Sequence, residues 1–90
     1  MAKYSHAERT SRYRQILSSM PIGKDLTADE IYDLVIAKYP KTDLVRANIG
    51  VIVGKTLAKR LDRVIMVKEI EVLEPSQGKA YPIAIWRRTR

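Results

Sequence analysis

The sequence predicts one α+β domain in which three helices are followed by a long β-hairpin. Three observations carry that prediction. Apolar residues recur at helical spacing in three segments before Asp62. Two of those segments open on the helix-capping pattern Ser/Thr-x-x-Glu, as Ser5…Glu8 and Thr27…Glu30. After Asp62 the helical pattern gives way to β-branched residues interleaved with charges, divided by the turn Glu74-Pro75-Ser76-Gln77-Gly78-Lys79.

The first helix is predicted from Ser5 to Ser19, with Ala7, Thr10, Tyr13, Ile16, Leu17 and Met20 along one stripe. Arg9, Arg12 and Arg14 lie mostly off that stripe and read as a solvated face. Pro21 and Gly23 stop the helix. Lys24-Asp25-Leu26 reads as a short extended linker that brings Leu26 against the sheet. Thr27 then caps the second helix, whose stripe is Ala28, Ile31, Leu34 and Val35. Its acids Asp29, Glu30 and Asp33 come early and Lys38 comes late, as the helix dipole favours. Pro40 ends it near Tyr39, and Pro40-Lys41-Thr42 forms a tight connection.

Thr42 or Asp43 is expected to cap the third helix, which runs to about Leu61. On a wheel of 100° per residue, Val45, Ile49, Ile52, Val53, Thr56 and Leu57 share one sector. Leu44, Ala47, Asn48, Val51, Lys55, Ala58 and Lys59 fall opposite. Gly50 and Gly54 share a face, at a helix-propensity cost of about 1 kcal/mol each, which close helix–helix approach explains. The hairpin strands are Val64–Leu73 and Ala80–Arg87. Tyr81, Ile83 and Ile85 alternate, and Glu69 and Glu71 share a solvent face. Pro82 marks an edge or a bulge. Trp86 and Tyr81 are expected to complete the core or an interface. Arg87-Arg88-Thr89-Arg90 reads as a frayed basic tail, so the expected domain spans 1–90 with an ordered core of about 5–87.

Ninety residues allow one domain. The net charge is +7, and it is segregated: basic segments 1–24, 41–63 and 79–90 alternate with acidic 25–40 and 64–78. A fold that gathers the basic segments on one side would suit a polyanion. Cysteine is absent, which excludes disulfides and thiolate metal sites and fits a reducing cytoplasm. No run of about 18 apolar residues predicts a membrane span, and residues 1–6 lack the apolar core of an export signal. Chemistry finds little to work with. His6 is the sole histidine, with no second His or Cys for a catalytic pair. Gly54-Lys55-Thr56 resembles the end of a phosphate-binding loop, but Ile49 stands where that motif needs glycine. The expectation is a non-enzyme without a cofactor.

The order helix, short strand, helix, helix, hairpin resembles the winged helix-turn-helix superfamily over about residues 5–87. Leu26-Thr27-Ala28-Asp29-Glu30-Ile31 is similar to the L-T-x-x-E-[IL] opening of the support helix in many bacterial regulators. The resemblance implies a double-stranded DNA partner, with the third helix in the major groove. Base readers would be Arg46, Ala47, Asn48, Val51 and Lys55: Asn48 pairs with adenine, Ala47 and Val51 touch thymine methyls, Lys55 meets guanine or a phosphate, and Arg46 meets a base or a phosphate. Lys41, Thr42 and Lys59, with Gln77 and Lys79 on the wing, would hold phosphates. The implied protein is a small bacterial or phage transcriptional regulator. It would be cytoplasmic, nucleoid-associated when bound, without a membrane partner, and a possible homodimer. Two other readings use the same fold: a protein-interaction module, acting as adaptor or inhibitor of a host protein, and an RNA- or ribosome-associated binder. Leu44 and Val51, apolar on the otherwise polar sector, favour the interaction module.

Overall fold

A computed structural model of the chain describes residues 11–74 and 78–90. The first capping box (Ser5, Glu8), the start of the first helix, His6 and Gln77 lie outside the described residues. The elements in chain order are α1 (Arg12–Ser19), β1 (Asp25–Leu26), α2 (Ala28–Lys38), α3 (Arg46–Ile52), a π-helical segment continuous with it (Val53–Arg60), β2 (Val64–Glu74) and β3 (Lys79–Arg88). The architecture is α+β: the helices pack on one side of a three-stranded antiparallel sheet of order β1-β3-β2.

The core follows the apolar stripes. Ile16 and Met20 of α1, Ile31 and Val35 of α2, Ile49, Val53 and Leu57 of the third helix, and Leu26 and Val64 of the sheet are all buried. Leu26 is where the linker was expected to put it, paired with Trp86 as β1 adds to β3. The second capping box forms completely: Thr27 Oγ1 accepts from the Glu30 amide at 3.2 Å, and Glu30 Oε1 accepts from the Thr27 amide at 2.9 Å.

The start of the third helix departs from the wheel. Its N-cap is Val45, without a side-chain cap bond, and the chain from 39 to 45 is longer than a tight turn. Leu44 is buried (3% exposed) and Val45 is 52% exposed, the reverse of their predicted sectors. Both precede the helix. Val45 is extended (φ −116°, ψ 155°), and in extended chain neighbouring side chains point opposite ways. The predicted caps are used elsewhere. The Thr42 hydroxyl donates to Gln15 Oε1 and accepts from the Leu44 amide, and Asp43 pairs with Arg12.

Gly50 faces Ala28 of α2, but Gly54 faces the Trp86 ring, so only one of the two marks a helix–helix approach. The helix closes on Asp62 in the left-handed region (φ 53°), with the Arg63 amide bonded to the Leu57 carbonyl six residues back.

The strands meet the expected hairpin to within a residue at each end. Pro82 sits where no described strand lies on the second side of β3, because β1 covers only Trp86 and Arg87. The bulge lies instead between Met66 and Lys68. Tyr81 is exposed on the hairpin, whereas Trp86 packs on the core. The C-terminus is not a frayed tail. Arg87 pairs with Asp25, Arg88 donates to the Leu17 and Met20 carbonyls that end α1, and Thr89 bonds Arg63.

Candidate nucleic-acid interface

Two successive helices, α2 and the α3–π helix, pack across each other, and the second presents one exposed stripe. Ala47, Val51, Lys55 and Lys59 recur every fourth residue and are all exposed, while Ile49, Val53 and Leu57 form the parallel buried stripe. Spacing by four overshoots an α turn slightly. It falls short of a turn where bonds run from i to i+5, as in the π segment. The two drifts oppose each other, so both stripes stay nearly straight along the whole helix. Residues 44–61 contain Arg46, Lys55, Lys59 and Arg60 and no acid.

The cations of this helix are not equivalent. Arg46 Nη1 lies 3.1 Å from Asp29 and its Nη2 lies 3.5 Å from Asp33, with the guanidinium 4.6 Å from the Tyr32 ring centroid. Three α2 side chains, Asp29 and, one helical turn on, Tyr32 and Asp33, thus hold Arg46 against the support helix. The hydrogen bond that Arg46 donates to Asp29 leads the causes that raise the arginine's pKa. Lys55, Lys59 and Arg60 form no ion pair with the described residues. Asn48 is half-buried beside the stripe, and its side chain makes no hydrogen bond to the described residues.

The other predicted contacts scatter. Thr42 is turned inward to Gln15, a buried polar residue that the sequence stripe did not flag. Lys41 is exposed on the connection before α3. Lys79 starts β3 opposite Glu74 at the far end of the hairpin, and Gln77 lies outside the described residues.

One cationic feature was missed in the sequence. Tyr13 of α1 lies under the Arg14 guanidinium, 5.9 Å from ring centroid to Cζ. Its hydroxyl is held below the ordinary phenol value, first by a hydrogen bond with Arg14, with Ser11 and the charge of Arg60 adding to the effect. The end of the π segment and the start of α1 therefore share an electropositive corner. Helical spacing within one element cannot reveal it, because Arg60 comes near Tyr13 only when α1 packs on the π segment.

Among the described residues no helix is long and apolar enough to cross a membrane. No known protein family, curated protein or solved structure matches the chain.

Proposed function

We propose that the protein is a winged-helix binder of double-stranded DNA that reads sequence with the α3–π helix and acts as a small transcriptional regulator. The observation that carries this reading is the straight exposed stripe Ala47, Val51, Lys55 and Lys59 on a helix without acids, the second of a packed pair. Such a helix fits the major groove. Ala47 and Val51 offer methyl contacts to thymine, and Asn48 offers a donor and an acceptor to adenine. Lys55 supplies a base or phosphate contact, and Lys59 and Arg60 supply phosphate contacts. Arg46 is assigned to holding α3 on α2 rather than to bases, since Asp29 and Asp33 occupy its guanidinium. Thr42, bonded to Gln15, drops out of the phosphate set, while Lys41, Gln77 and Lys79 remain candidates on the connection and the wing.

Titration of a labelled duplex against salt tests the reading. Each phosphate neutralised contributes about −0.9 to the slope of log K against log salt, so the double variant Lys55→Ala/Lys59→Ala is expected to flatten the slope by roughly 2. At a selected site, Asn48→Ala costs about 1–3 kcal/mol and leaves random duplex unaffected. No duplex binding at low salt refutes the proposal. A protein-interaction role is the second reading, favoured by Val45 and Val51, each more than half exposed. It predicts that Val51→Asp abolishes partner capture while Lys55→Ala does not.

A further inference from the structure

The sheet has two unlike faces. Val64, Trp86 and Leu26 point toward the helices, and alternation along β3 sends Arg87, Ile85, Ile83 and Tyr81 to the other side. Their cross-strand partners share that side: Ile65 with Arg87, Lys68 with Ile85, Ile70 with Ile83 and Val72 with Tyr81. This outer face is therefore an apolar stripe of six side chains with none of the described elements over it. Ile65, Ile70 and Tyr81 remain about two fifths exposed (42%, 38% and 42%). From the Lys68–Ile85 pair outward the described sheet is two strands wide, and a two-stranded ribbon is at best marginally stable by itself.

We propose that this outer hairpin face is a homodimer interface, packed face to face with a second copy about a two-fold axis near the Ile70–Ile83 pair. The proposal goes beyond the DNA-binding reading and stands without it. Charge selects the occupant. In a chain of net charge +7 this face is close to neutral, because Arg87 is tied to Asp25 and Lys68 is the one unpaired cation among its described side chains. A polyanion or an acidic peptide finds little to bind here, whereas a second basic chain can approach without the repulsion it would meet elsewhere. Edge-to-edge pairing of β2 is the rival dimer, and its charges oppose it. With the apolar faces kept on one side, the central two-fold registers set Glu69 or Glu71 against a glutamate of the other copy or leave them side by side. Like charges directly opposite are destabilising. The stripe offers on the order of a few hundred Å² per copy, less than the roughly 800 Å² per partner of a tight complex, so the dimer is a weak one.

Sedimentation of the free protein up to millimolar concentration tests this. The wild-type chain is expected to show a concentration-dependent monomer–dimer equilibrium. Ile70→Glu and Ile70→Lys, each confirmed as folded by circular dichroism, should each lower the association constant by roughly tenfold or more. Mixing the two variants should restore it, because position 70 meets its own copy near the axis. If charge at position 70 prevents folding, Tyr81→Asp, further out on the same face, takes its place with the same expected loss. A wild-type chain that stays monomeric overturns the proposal. So does dimerisation that survives the single variants, and so does a mixture that fails to reassociate. Duplex titration reads a different surface, so failure of the DNA reading leaves these outcomes unchanged.

Discussion

Single residues explain the two glycines and the C-terminal arginines. A methyl group at Gly50 would lie 4.0 Å from the Ala28 Cβ, an ordinary contact. Gly50→Ala is thus expected to stabilise the fold by up to about 1 kcal/mol in urea unfolding, the gain in helix propensity. At Gly54 a Cβ already reaches 3.4 Å from the Trp86 ring, so Gly54→Leu drives a side chain into that ring and should cost about 1–3 kcal/mol. The spacing of the glycines was legible in the sequence; which neighbour each one faces was not. Arg88 ties the last strand to the carbonyl end of α1 through Leu17 and Met20, at 3.0 and 3.2 Å. Arg88→Met leaves those carbonyls without their charged donor and should lower the unfolding free energy by about 1–3 kcal/mol. Sequence position alone makes residues 87–90 look like a loose end, because the groups they bind lie between 26 and 71 positions away.

At the scale of elements, local signals were read well where they act locally. The Thr27–Glu30 box needs only its own four residues, and Thr27→Ala should cost about 1 kcal/mol, measurable as a lower urea midpoint. The third helix was harder. Its buried series Ile49, Val53 and Leu57 follows from spacing, but its start depends on Gln15, which draws the Thr42 hydroxyl inward, and on Arg12, which takes Asp43. Arg46 shows the same limit in the candidate site: helical position made it a base reader, and two acids of a neighbouring helix claimed it. The β2 strand is a sharper case. Continuous alternation from Val64 would send Met66, Lys68, Ile70 and Val72 to the helix side with it. The bulge between Met66 and Lys68 shifts the phase by one residue and turns Lys68, Ile70 and Val72 outward.

Across the whole molecule, ion pairs tie distant parts of the chain together: Arg12 to Asp43, Arg46 to Asp29 and Asp33, Arg87 to Asp25, and Arg90 to Asp62. Hydrogen bonds from Arg12 and Arg87 hold Asp43 and Asp25 below the ordinary carboxylate value of 3.8, against a smaller opposing effect of desolvation. A carboxylate depressed in the folded state contributes stability above its unfolded value and loses it as pH falls through the folded one. The urea midpoint is therefore expected to hold through mildly acidic pH and then drop below the ordinary value of 3.8. Asp25→Asn/Asp43→Asn should be less stable than wild type at neutral pH and converge with it in acid. A gap that persists at low pH would show that the two carboxylates act through something other than their charge.

The sequence by itself determined the α+β class, the order of elements, the second capping box and most of the core, because spacing, caps and turns act within a few residues of one another. It also placed every acid outside residues 44–61, and with them it placed a basic stripe. Only the tertiary structure decided which cations stay unpaired, since an arginine's partner is set by packing and not by proximity along the chain. It likewise decided that Leu44 is core, that the last four residues are anchored, and that one bulge in β2 turns Ile70 and Val72 away from the helices.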